Sequence, residues 1–161
     1  MYDEESVTEY SHTVNVLREV KPVRSDFAVL AGFEDQILPS LLVGADGAIS
    51  GFSNVAPELF VDLVRSVREG DLTRAAELHR RVLSLASIIG LSDPFIGAVK
   101  LAMKKLGVPI SPTVRGPALP PPPEAHTTIE GSGARSGTRR GPKSWSTLDQ
   151  KHSPSTSSAP S

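Results

Sequence analysis

The chain reads as an α/β fold in which short parallel strands are covered by helices, and three observations predict it. Phe27-Ala-Val-Leu-Ala-Gly32 is a short apolar run rich in β-formers, the composition of a strand buried on both faces. Gly47-Ala-Ile-Ser50 is a second run of that kind. Each is followed at once by the start of a helix, and strand–helix–strand–helix with short connectors is the pattern of a parallel sheet. The residues just after the strands, Gly32-Phe33-Glu34-Asp35 and Gly51-Phe52-Ser53-Asn54, then fall at the strands' carboxyl ends, where such folds place their chemistry.

The remaining elements follow in order. Ser6 and Glu9 form an S-x-x-E capping box, and Val7, Tyr10, Val14 and Leu17 recur at helical spacing up to about Val20. Pro22 ends that helix. Gln36 to Val43 reads as a short helix stopped by Gly44, and Asn54 as the cap of a helix from Pro57 to Glu69, where a first-turn proline lacks only an N–H that has no partner anyway. Leu59, Phe60, Leu63, Val64 and Val67 face inward, and Gly70 stops the helix. Asp71 caps the next, whose apolar face comprises Leu72, Ala75, Ala76, Leu78, Val82, Leu83, Leu85 and Ala86 before Gly90. Asp93-Pro94 opens a further helix that runs to Leu106 and stops at Gly107. Four consecutive prolines within Pro117–Pro123 favour an extended polyproline connector, after which Glu124–Glu130 can start a last helix.

The text changes at Gly131. Residues 131–161 are Gly, Ser, Thr and Pro with scattered bases, and Trp145 and Leu148 are their only large apolar side chains. Such a segment buries too little surface to offset chain entropy, so disorder is expected. The chain therefore divides into a body, 1–130, and a low-complexity tail, 131–161.

Composition narrows the function classes. A net charge of −1 gives the body no reason to seek nucleic acid, and the tail bases Arg135, Arg139, Arg140, Lys143 and Lys151 are explained equally by solubility and by weak attraction to polyanions. With no cysteine there is no disulfide framework or thiolate metal site, which suits a cytosolic protein. Met1-Tyr-Asp-Glu-Glu lacks the apolar stretch of a secretory signal, and no window approaches the ~18 apolar residues of a membrane span. His12 and His79 lie on helices without a second ligand at metal spacing and read as solvated positions. His126 and His152 fit no metal motif, and Arg80-Arg81 and Lys104-Lys105 read as solvated helix positions. No cofactor is implied.

Two segments, LAGFEDQILPSLLVGADGAISGFSNVAPELF and EGDLTRAAELHRRV, resemble the back end of the dihydrodipicolinate synthase (DapA) family of pyruvate-dependent lyases and aldolases. The resemblance runs from about Val7 to about Ile129. It is carried by G-[FSD]-[ED]-D after one strand and GADGAISG-x-x-NVAPE after the next. It implies part of a (β/α)8 barrel: a complete one needs roughly 250 residues, so about half a barrel is present. The abrupt loss of resemblance at Gly131, inside an expected helix, fits a replaced or frame-shifted terminus as well as a natural tail.

The resemblance also implies a Schiff base between a lysine and the keto carbon of pyruvate. That lysine ends the sixth strand in a G-[IVL]-K-[DE] pattern, five or six residues before the helix expected here from Ser6 or Val7. The count lands on Met1 or before it, and the first lysine is Lys21, at the far end of the helix. The tyrosine-bearing and Gly-x-Thr-Gly-Glu segments of the front half are absent, and Tyr2 and Tyr10 lie in the wrong context to replace them. What carries over is Ile49 and Gly32 as pyruvate-pocket residues, with Asp35 structural and Asn54 a helix cap. Ile49 reads equally as barrel-filling core. A chain inactive alone is thus expected, with three functional alternatives: a degenerate lyase, the back half of a split lyase that meets pyruvate or another 2-keto acid only when completed, or an interaction module. Open strand edges and exposed interior residues such as Val29 and Ile49 predict self-association.

Overall fold

The computed structural model describes residues 2–5 and 9–131 of the protein. Three parallel strands form one sheet in the order β1 (Tyr2–Glu5), β2 (Ala28–Ala31) and β3 (Gly47–Ala48). Among the described residues six α-helices accompany them: α1 (Tyr10–Val20), α2 (Ile37–Leu42), α3 (Pro57–Arg68), α4 (Leu72–Ala86), α5 (Ile96–Lys105) and α6 (Pro123–Gly131). The expected parallel pairing of the two central runs is present, with Leu30 opposite Gly47 and Ala31 opposite Ala48. Among the described residues nothing closes the sheet into a barrel, and β1 and β3 form its two edges.

β1 is an addition to the expected order. Tyr2 to Glu5 pair with Ala28 to Ala31, residue for residue. Acidic residues disfavour strands as local propensity, so only the partner β2 makes this segment extended. The helix expected from Ser6 or Val7 begins instead at Tyr10. Ser6, and with it the expected capping box, lies outside the described residues; Glu9 is the N-cap of α1 and makes no side-chain cap bond.

Each apolar run is shorter than its sequence suggested. β3 stops at Ala48, and Ile49 and Ser50 already belong to the loop. Asn54 does not cap α3. Its amide donates to the Gly51 carbonyl (3.0 Å) and closes a short 3₁₀ turn, while Ala56 occupies the cap position. Asp71 does cap α4, its carboxylate accepting the Arg74 N–H at 2.9 Å. Gly44, Gly70 and Gly107 end their helices with φ of 109°, 77° and 88°, a region that costs other residues steric strain.

The core lies on the helix side of the sheet. Val29 and Ala31 point into it, together with Phe52, Leu63, Leu78, Val82 and Ile88. The expectation that Val29 would be exposed is wrong: it is 0% exposed, and the inward-facing Leu63 and Phe60 of α3 are buried as well. Ala31, on the same face of β2 as Val29, joins residues of α2, α3, α4, α5 and α6 in one hydrophobic cluster. Leu72 and Leu83, expected on the buried face of α4, are exposed, since Ala75, Leu78, Val82 and Leu85 already fill its stripe. No helix among the described residues is long and apolar enough to cross a membrane.

Candidate functional site at the carboxyl end of the sheet

Parallel strands deliver their following loops to one end, and here that end gathers Gly32 to Gln36 after β2 and Ile49 to Asn54 after β3. Gly32 and Ile49, the two expected pocket residues, are brought together. The Ile49 N–H donates to the carbonyl of Ala31, the neighbour of Gly32, at 2.9 Å. Ile49 is 42% exposed, so it projects from the uncovered side of the sheet rather than filling a core.

Beneath these two residues lies a polar contact that sequence reading missed. The Ser50 hydroxyl donates to Oε1 of Glu34 at 2.5 Å, and the two residues are only 5% and 7% exposed. That length is ordinary for a hydroxyl on a carboxylate, a strong type of hydrogen bond. The same Ser50 oxygen accepts the Phe52 N–H at 3.1 Å, and Ser53 Oγ donates to the Ser50 carbonyl at 2.6 Å. One hydroxyl thereby ties the two strand-end loops together. Asp35, to which the resemblance gave the structural role, is exposed; Glu34 plays that part. The clue available in the sequence was an acid directly after one strand and a serine at the same depth after the next.

His79 does not sit on a solvated face as expected. It is half-buried, and its Nε2 lies 2.9 Å from the Glu34 carbonyl, so it steadies the first loop from α4. Phe52 is fully buried and stacks on Phe95, with centroids 6.1 Å apart. Gly51 permits this, because a Cβ there would stand 2.7 Å from the Phe95 ring. Among the described residues no group of three or more His, Cys, Asp or Glu could hold a metal ion.

The opposite end of the sheet is built differently. Asp46, just before β3, accepts the Val29 N–H at 2.8 Å and pairs with Lys21 at 2.6 Å, while Arg68 donates to the Asp46 carbonyl at 2.8 Å. Burial alone would raise the Asp46 pKa. The hydrogen bonds from Lys21 and Val29 and the charges of Lys21 and Arg68 outweigh it, and the net shift is downward. Lys21 is thus engaged at the amino end, remote from Gly32 and Ile49.

The start of α1 also relocates the lysine position. Five or six residues before Tyr10 are Glu5 and Glu4, the last two residues of β1. Laid on G-[IVL]-K-[DE], the strand reads Tyr2-Asp3-Glu4-Glu5, with Glu4 at the lysine position and Glu5 at the acidic one. Counted back from the observed start of α1, the same spacing reaches Glu4 or Glu5 rather than Met1.

Comparison with known proteins identifies the family. Residues 5–131 match the Dihydrodipicolinate synthetase family. The chain is 37% identical over 125 residues to the "Probable 2-dehydro-3-deoxy-D-pentonate aldolase YjhH" of Escherichia coli K12, covering 78% of this chain and 42% of that protein. It is 37% identical over 124 residues to an uncharacterized DapA-like lyase of Thermofilum pendens, covering 77% and 41%. Among solved structures it resembles YagE, a prophage protein of the dihydrodipicolinic acid synthase family from E. coli K12 in complex with pyruvate, with a TM-score of 0.75 and 30% identity over 83% of this chain and 44% of that one. Dihydrodipicolinate synthase of Thermotoga maritima gives a TM-score of 0.77 at 29% identity, covering 84% and 45%. The chain thus spans less than half the length of these relatives.

Proposed function

Because the chain belongs to the dihydrodipicolinate synthetase family, we propose that it is the back part of a pyruvate-dependent lyase barrel and is catalytically silent by itself. The observation that carries this reading is Glu4 at the end of β1. A Schiff base needs an amine nitrogen to attack the keto carbon and then act as an electron sink, and a carboxylate supplies neither. No lysine precedes Lys21, whose amine is held by Asp46 at the other end of the sheet. Gly32 and Ile49 keep the places of pocket residues for a 2-keto acid, in a pocket that three strands leave open. The isolated chain self-associates through that open face, where Ile49 stands exposed.

Pyruvate with borohydride tests the reading. An imine formed at a lysine would be reduced to a stable secondary amine and add one pyruvate-derived group to the mass. The purified chain should keep its mass, since no lysine stands at the strand end to form the imine. Stoichiometric labelling at a single lysine would overturn the proposal.

A further inference from the structure

The connector ahead of α6 carries a surface that the strand-end loops do not use. Leu119 to Pro122 belong to no helix or strand, and Pro120 to Pro123 are four consecutive prolines. Such a run holds the chain in the left-handed polyproline II helix, with three residues per turn. Exposure follows that period. Ala118 and Pro121 are half-buried, whereas the pairs Leu119–Pro120 and Pro122–Pro123 are exposed, Leu119 at 70%. One edge of the segment therefore packs on the body, and two ridges face outward, one turn or about 9 Å apart. The inward edge is anchored. Pro121 lies against Gly97, where a Cβ would stand 3.0 Å from its ring, and the Leu119 N–H donates to the Asp93 carbonyl at 3.4 Å.

These features define the chemistry of a partner. Prolines have no N–H and the Leu119 N–H is taken, so the segment cannot add as a strand to another sheet. It offers ring faces, the Leu119 side chain and carbonyl acceptors. Beside the ridges, Pro120 and Pro121 wall a cleft of about 300 Å³ together with Leu101, Val114 and His126, room for an aromatic side chain. Exposed charges of opposite sign flank the ridges, Arg115 before them and Glu124 after them. We infer that residues 118–124 form a docking site for a small proline-recognition domain with an aromatic-lined groove. One aromatic side chain of that groove enters the cleft, and an acid and a base at its two ends meet Arg115 and Glu124.

The test uses a WW domain, a module with such a groove, selected for binding a free peptide of residues 117–126. In calorimetric titration the full chain is expected to bind it about threefold more tightly than the peptide does, because the ridge is already set. Leu119→Ala and Pro122→Ala should each weaken binding about tenfold, and Leu119→Ala should leave the unfolding temperature unchanged because its side chain is exposed. Glu124→Gln should weaken binding about twofold and reduce its salt dependence. Leu83→Ala, exposed on α4, should have no effect. A full chain that binds about tenfold more weakly than the peptide, or equally well with Leu119→Ala, overturns the inference. So does a peptide that binds none of a panel of WW domains. Binding that emerges only with Trp145→Ser would make the chain's own Trp145 the occupant of the cleft, and it too overturns the inference.

Discussion

The two ends of this short sheet are held by different physics. At the carboxyl end, Phe52 is fully buried against Phe95, and a buried Ser50–Glu34 contact ties the loops together. At the amino end, Asp46 gathers Lys21, Arg68 and the Val29 N–H in a setting open to solvent, where ion pairs are screened. The carboxyl end is thus the better-packed one. The loops at the carboxyl end are fixed by contacts among themselves and with α4 and α5.

This contrast can be broken from the carboxyl end. Phe52→Ala removes a ring with no solvent exposure and its stacking partner, and it should cost about 3–5 kcal/mol in denaturant unfolding. A loss of under about 1 kcal/mol would mean that the end is loosely packed. Next in size is Ser50→Ala, which leaves the Glu34 carboxylate buried without its hydroxyl donor and should cost about 1–3 kcal/mol. Glu34→Gln keeps an acceptor for Ser50 and should cost less than Ser50→Ala. If it costs more, the negative charge rather than the hydrogen bond is what matters at this end.

Much of this architecture was legible in the sequence. β2, its parallel partner β3, the Asp71 cap and the glycine stops follow from local chemistry: apolar β-formers, a carboxylate able to accept N–H bonds, and residues tolerant of positive φ. β1 was not legible, because Tyr-Asp-Glu-Glu has no strand signal of its own and is extended only through its pairing with β2. Missing it displaced the start of α1 and hid Glu4. The burial of Val29 was misjudged for a related reason. Alternation along a strand separates two faces but does not say which one the helices cover. Of the site, Gly32 and Ile49 came from the resemblance, and the structure bonds the Ile49 N–H to the carbonyl of Ala31. Glu34 and His79 were missed because their roles depend on contacts 16 and 45 residues away in sequence.

The smallest effect belongs to the amino end, where the sign of its pH dependence is the informative part. The Asp46 pKa is lower in the folded chain than in the unfolded one, as the Lys21 and Val29 hydrogen bonds outweigh burial. Its contribution is therefore fully present above the unfolded carboxylate pKa of about 4, and it is lost as pH falls through the lower folded value. Because the Asp46 side chain is 39% exposed, screening keeps this contribution within about 1 kcal/mol. Asp46→Asn should consequently lower stability slightly at pH 7 and flatten the decline below about pH 4, as followed by urea unfolding across that range. The buried Ser50–Glu34 contact predicts the opposite ranking in salt. Raising ionic strength should shrink the Asp46→Asn effect while leaving the Ser50→Ala effect nearly unchanged, since exposed pairs are screened and buried ones are not. Equal salt sensitivity at the two ends would show that the carboxyl end is as wet as the amino end, and the difference between them would disappear.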